Sequence, residues 1–259
     1  MNRVWALMLT MTTLVVSGCG VAAYDVRLKD TLEKLRYEAK LNSFLEKPAE
    51  GKFKELNVWL RVPKPLVEDK LALNTAPGAI DHGATFTGSP VPLAAKEGET
   101  PPVLPPMKLH VLVRQKPKKA AAKKGEPPPT VDPNVANRAA FIADVKATLA
   151  AAYGGEAATD KAPATFKANK NTFKDLKFTA ASGDDIRVYF AEANKGDLEV
   201  ALVFDIPPAL RTNALAGSGV DYCLKSFALG NAARNLFNNG GKAAGAKDGA
   251  KTGGDAAAF

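Results

Sequence analysis

The chain has 259 residues, 46% of them hydrophobic and 24% charged, with a formal net charge of +8. That apolar share suffices for a core and excludes a chain disordered throughout, while the length allows one or two domains.

Residues 1–18 read as a secretory signal. Arg3 supplies a positive n-region, and Val4 to Val16 make an apolar run too short to span a bilayer. At its end, Val16-Ser17-Gly18-Cys19 resembles the lipobox of bacterial lipoproteins. The resemblance implies a diacylglycerol thioether on Cys19, cleavage before it and acylation of the new amino group. Two or three acyl chains hold a protein at a membrane durably where one does not. An ordinary signal peptide with a chance cysteine, or an uncleaved anchor, is the plainer alternative. With Cys19 committed to lipid, Cys223 has no intramolecular partner, and its apolar helical setting makes it a small core residue. One cysteine, Cys223, and two histidines far apart in sequence then give no set from which a zinc site could be assembled without further support. Gly20 is not the aspartate associated with inner-membrane retention, so the expected location is the cell envelope, on the outer membrane. Export disfavours nucleic acid as a partner. The basic balance suits anionic lipid or an anionic envelope polymer instead.

From the cysteine onward, residues 19–50 are expected to hold the lipidated N-terminus and an amphipathic helix over 24–46, with Tyr24, Leu28, Leu32, Leu35 and Ala39 as its stripe. Asp25 suits the N-cap, and Lys47-Pro48 ends the run. Three fates compete for the stripe: packing on the chain's own domain, pairing with a partner helix, or lying on the bilayer.

A single domain is expected over 51–237. In its first strand, Leu56, Val58, Leu60 and Val62 alternate with Asn57, Trp59 and Arg61, and Pro63 stops it. Residues 67–106 read as a long irregular loop with a short strand near Ala84 to Thr87. Met107 to Arg114 is a clear strand whose second face, with Lys108, His110 and Arg114, reads as solvated. The Lys- and Pro-rich stretch 116–131 cannot bury enough apolar surface to fold alone. It reads as a solvated loop or as an arm for anionic surfaces.

Asp132-Pro133 suits a helix start, Phe141, Ile142, Val145, Leu149 and Ala152 form its stripe, and Gly154-Gly155 stop it. A three-strand meander over 176–180, 186–190 and 198–206 follows, its last strand toward the sheet centre, and Pro207-Pro208 ends it. Ser218-Gly219 opens a last helix through Val220, Cys223, Leu224 and Phe227, with Gly230 as a stop; 238–259 reads as a disordered tail.

The predicted class is therefore α+β: a mostly antiparallel sheet of five or six strands covered by helices. The element order and the closing segment Val200 to Phe227 are similar to the PsbP-like fold of extrinsic photosystem proteins and some bacterial lipoproteins, a likeness that transfers no catalytic residue. No nucleophile elbow, metalloprotease helix or phosphate loop occurs, and no cofactor is implied. His82 beside Asp81, Asp184-Asp185, and Gly217 to Gly219 are each too sparse to carry chemistry. The leading expectation is a membrane-anchored envelope lipoprotein that binds or scaffolds an envelope protein or polymer. Its candidate contact surfaces are Trp59 with Arg61, and Lys116, Lys118, Lys119, Lys123 and Lys124. The competing class is a lipid-anchored hydrolase with spatially assembled carboxylates.

Overall fold

The computed structural model describes residues 24–89, 91–92, 103–115, 141–154, 164–168, 170–193 and 197–239. The signal segment, Cys19, the Lys/Pro-rich stretch 116–131 and the tail from 240 onward lie outside them, as does the expected cap at Asp132. Two compact units divide between Ser43 and Phe44. Helix α1 covers 24–44, close to expectation, and all but its last residue belongs to the first unit. Its stripe is exposed: Tyr24 at 65%, Leu28 at 44%, Leu32 at 43% and Leu35 at 55%.

The second unit is α+β. Strand β1 (Leu45–Pro48), helix α2 (Lys52–Glu55), β2 (Val58–Trp59) and β3 (Arg61–Pro63) come first. The single strand expected over 56–62 is thus broken at Leu60, and its halves pair differently: β3 with β1, β2 with a strand near the C-terminus. The strand also starts later than expected, at Val58, because Asn57, with a φ of 57° in the left-handed region that asparagine tolerates, still belongs to the turn after α2. The loop expected over 67–106 is partly sheet, with β4 (Val67–Lys70), β5 (His82–Thr87), β6 (Val91–Pro92) and β7 (Val103–Leu104). Then come β8 (Lys108–Gln115), helix α3 (Phe141–Tyr153), β9 (Ala164–Ala168), β10 (Asn171–Thr179), β11 (Asp185–Ala193) and β12 (Leu198–Ile206). Helix α4 (Val220–Ser226), β13 (Ala228–Leu229) and α5 (Gly230–Asn238) close the unit.

One antiparallel sheet of seven strands, two beyond the lower expectation, runs β4-β5-β8-β12-β11-β10-β9. The meander is present as expected, with β12 at the centre and β9 as an added edge strand. Sequence alternation alone hides β9, because Thr165, Phe166 and Lys167 offer only one large apolar residue.

Both faces of the sheet are buried. On one, Leu112, Val188, Phe190, Ala201 and Val203 pack against Phe141, Val145 and Leu149 of α3. Ala152 of the expected stripe is exposed instead, and Thr148 faces inward. A positive φ of 97° at Gly154 ends α3, as a C-terminal glycine should. On the other face, Phe53 of α2 meets His82 edge-on at 4.9 Å and Phe86 at 6.1 Å, while Phe227 lies 5.8 Å from Phe173. The Asn171 amide donates to the carbonyls of Leu224 and Phe227, fastening α4 to the sheet.

Gly230 does not stop the last helix. Helix α4 ends at Ser226, Phe227 is extended, and Gly230, at φ 60°, opens α5. Cys223 is fully buried and unpaired, the core residue expected, and burial pushes its thiol up.

Leu149 is fully buried between α3 and the sheet. Leu149→Ala should cost about 2–5 kcal/mol of unfolding free energy in a urea titration. A loss within about 0.5 kcal/mol, the range of surface changes, would show that α3 does not close this core.

Candidate functional site

Two polar assemblies are built into the face that α3 covers. The first begins with the Ala72 backbone N–H, which donates to Thr85 Oγ1 at 2.8 Å. Thr85 Oγ1 lies 2.9 Å from His110 Nδ1, His110 Nε2 lies 3.1 Å from the Tyr153 hydroxyl, and that hydroxyl donates to Asp205 Oδ2 at 3.2 Å. One tautomer satisfies the whole row: Thr85 donates to Nδ1, and Nε2–H donates to Tyr153. His110 faces both Thr85 and Val203 in register, and is 2% exposed. Its expected solvated position is therefore corrected, because α3 lies over the face on which it stands.

Burial, with Lys108 adding to it, lowers the His110 imidazole to about 4. Burial and the charge of Asp184 raise the Asp205 carboxyl to about 6, outweighing the Tyr153 hydrogen bond and Lys108. The Tyr153 phenol is pushed up by burial and by Asp205. Asp205 Oδ1 is buried with no partner among the described residues. The row ties the last residue of α3 to three strands.

The second assembly centres on Arg114, whose side chain is 4% exposed. It donates to Asp144 of α3 at 3.0 Å and through two nitrogens to Glu199 Oε2, each at 2.9 Å. Its guanidinium also lies 5.0 Å from the centre of the Phe141 ring. A buried guanidinium needs such partners, because an unpaired buried charge is strongly destabilising.

Beside this ion group a cleft of about 270 Å³ opens. Phe141, Ile142 and Phe190 are its apolar lining, and Lys174, Glu192 and Glu199 are its charged groups. Glu192 stands directly across from Glu199 on the neighbouring strand. Like charges in that position repel, and Arg114 relieves the repulsion by neutralising Glu199.

Of the residues singled out in sequence, Trp59 is not on an outer face. It is 6% exposed, with Phe237 edge-on at 4.8 Å, because β2 pairs with β13 and brings α5 over the indole. Arg61 is half-buried and donates to the carbonyls of Glu46 and Leu45. Cys19, Lys116, Lys118, Lys119, Lys123 and Lys124 lie outside the described residues. His82 meets Phe53 edge-on, and Asp81 Oδ2 accepts from the Gln115 N–H at 2.7 Å. Asp205 did leave a trace in the sequence: it is the one carboxylate inside the apolar run Val200 to Ile206.

The pair His110 and Asp205 makes a pH prediction. At about pH 5 the unfolded chain carries a proton on His110 and none on Asp205, whereas the folded chain carries the reverse. The counts cancel, so this pair leaves stability level between about pH 4 and 6. Asp205→Asn leaves only the lowered histidine, and stability should then rise with pH across that window. His110→Gln leaves only the raised carboxyl, and stability should fall with rising pH. Urea unfolding at several pH values reads both slopes, and slopes of the same sign would refute the proton exchange.

No protein-family model and no curated protein matches the chain.

Proposed function

We propose that this is a lipid-anchored envelope protein whose α+β domain binds a ligand or partner and does not transform it. The observation that carries the tether is the Val16 to Cys19 pattern, followed within five residues by a helix whose apolar stripe is exposed. An exposed stripe beside acyl chains would lie against lipid or another helix at the membrane surface. Support for binding comes from the state of the polar groups in the domain. The buried arginine and the histidine row are occupied in joining α3 to the sheet, and the open cleft beside them mixes apolar and charged lining.

The hydrolase reading keeps one specific observation, the facing carboxylates Glu192 and Glu199 at the cleft. Against it, Glu199 is held by a buried guanidinium, a poor setting for a group that must exchange protons.

Intact mass and detergent partitioning of the native protein test the tether. A chain beginning at Cys19 with a diacyl or triacyl increment, and loss of Cys19→Ala from the membrane fraction, is the expected result. An unmodified, freely soluble mature chain would overturn it.

A further inference from the structure

We propose that the cleft between Phe141 and Ile142 of α3 and strands β9 to β12 binds a zwitterion of amino-acid size bearing an apolar side chain. This rests on the reading of the domain as a binding module. The strand register lays the groups out. Lys174 of β10 faces Phe190 of β11, and Glu192 lies two residues further along β11, on the same face of the sheet. That makes Lys174 and Glu192 diagonal neighbours, about 7–8 Å apart at their backbones. Within such reach the two could join, yet neither side chain has a hydrogen bond or ion pair among the described residues.

A ligand carrying an ammonium and a carboxylate a few ångströms apart would bridge them, ammonium to Glu192 and carboxylate to Lys174. Its side chain would then meet Phe141, Ile142 and Phe190. Thr165 and Thr172, on the same lining, offer hydroxyls to the ligand's polar end. Arg114 fixes Glu199 as one wall, so the free anionic charge at the cleft is that of Glu192. The volume, about 270 Å³, falls just under the range of about 300–1,000 Å³ usual for drug-sized ligands, which sets the ligand's size.

Calorimetric titration of the mature full chain with L-phenylalanine tests the assignment, with phenylalanine amide and N-acetylphenylalanine as probes lacking one charge each. L-phenylalanine should bind, and each singly charged probe should bind at least about tenfold more weakly, as loss of one charge-assisted hydrogen bond predicts. Glu192→Gln and Lys174→Met, both exposed positions where folding should survive, should each weaken L-phenylalanine by a similar factor. No binding of L-phenylalanine up to about 10 mM, equal affinity for all three probes, or variants without effect would overturn the proposal. Such a failure leaves the mass of the acylated Cys19 untouched. An unacylated Cys19 would sink the tether and leave this titration unchanged.

Discussion

Strand β12 is the element on which the second unit depends. It pairs along its whole length with β11 and nearly all of it with β8, and both of its faces are buried. A strand with Val200, Leu202, Phe204 and Ile206 on one side and Ala201 and Val203 on the other cannot be half-solvated. It demands a layer on each face, since each exposed branched side chain would forfeit about 1.5–3 kcal/mol of burial. Helix α3 meets that demand on one face. On the other, the task falls to short pieces drawn from both ends of the unit: α2 with Phe53 before the sheet, and α4 with Phe227 after it.

Covering both faces has a consequence for the polar residues on those strands. Arg114, His110, Thr85 and Asp205 would be ordinary surface residues on a one-sided sheet; here they are all buried. Each buried donor must find a partner or cost about 1–3 kcal/mol. The chain answers with Asp144 and Tyr153, well separated along α3, so the helix is fixed at two points by polar contacts and between them by apolar ones. Two ties of defined geometry set the position of the helix along the sheet, which apolar packing alone specifies less sharply.

The cleft lies beside Phe141 and Ile142 of α3. The sheet continues there through β10, β11 and the added strand β9, and the lining changes from Phe141, Ile142 and Phe190 to Thr165, Thr172, Lys174 and Glu192. Apolar and charged surfaces meet along one line there, the arrangement a small amphipathic ligand requires. In the proposed reading the acylated cysteine supplies the address and this boundary supplies the binding chemistry.

The sequence by itself determined the strongly patterned elements: α1, β8, the inward turns of α3 and the meander through β12, along with the α+β class and the core position of Cys223. These depend on local periodicity, which a chain displays before it folds. Only the tertiary structure decided what the second faces of those strands meet. Alternation in β8 placed His110 and Arg114 opposite Leu109 and Val113, but nothing local reveals that a helix about 30 residues downstream covers them. Trp59 was misplaced for the same reason, its ring covered by Phe237 far along the chain. The short strands β4 and β9 escaped notice because their backbone pairing comes from neighbours, not from side chains of their own. Burial of a polar face and pairing of a weak strand are properties of distant contacts, and those exist only once the chain has closed on itself.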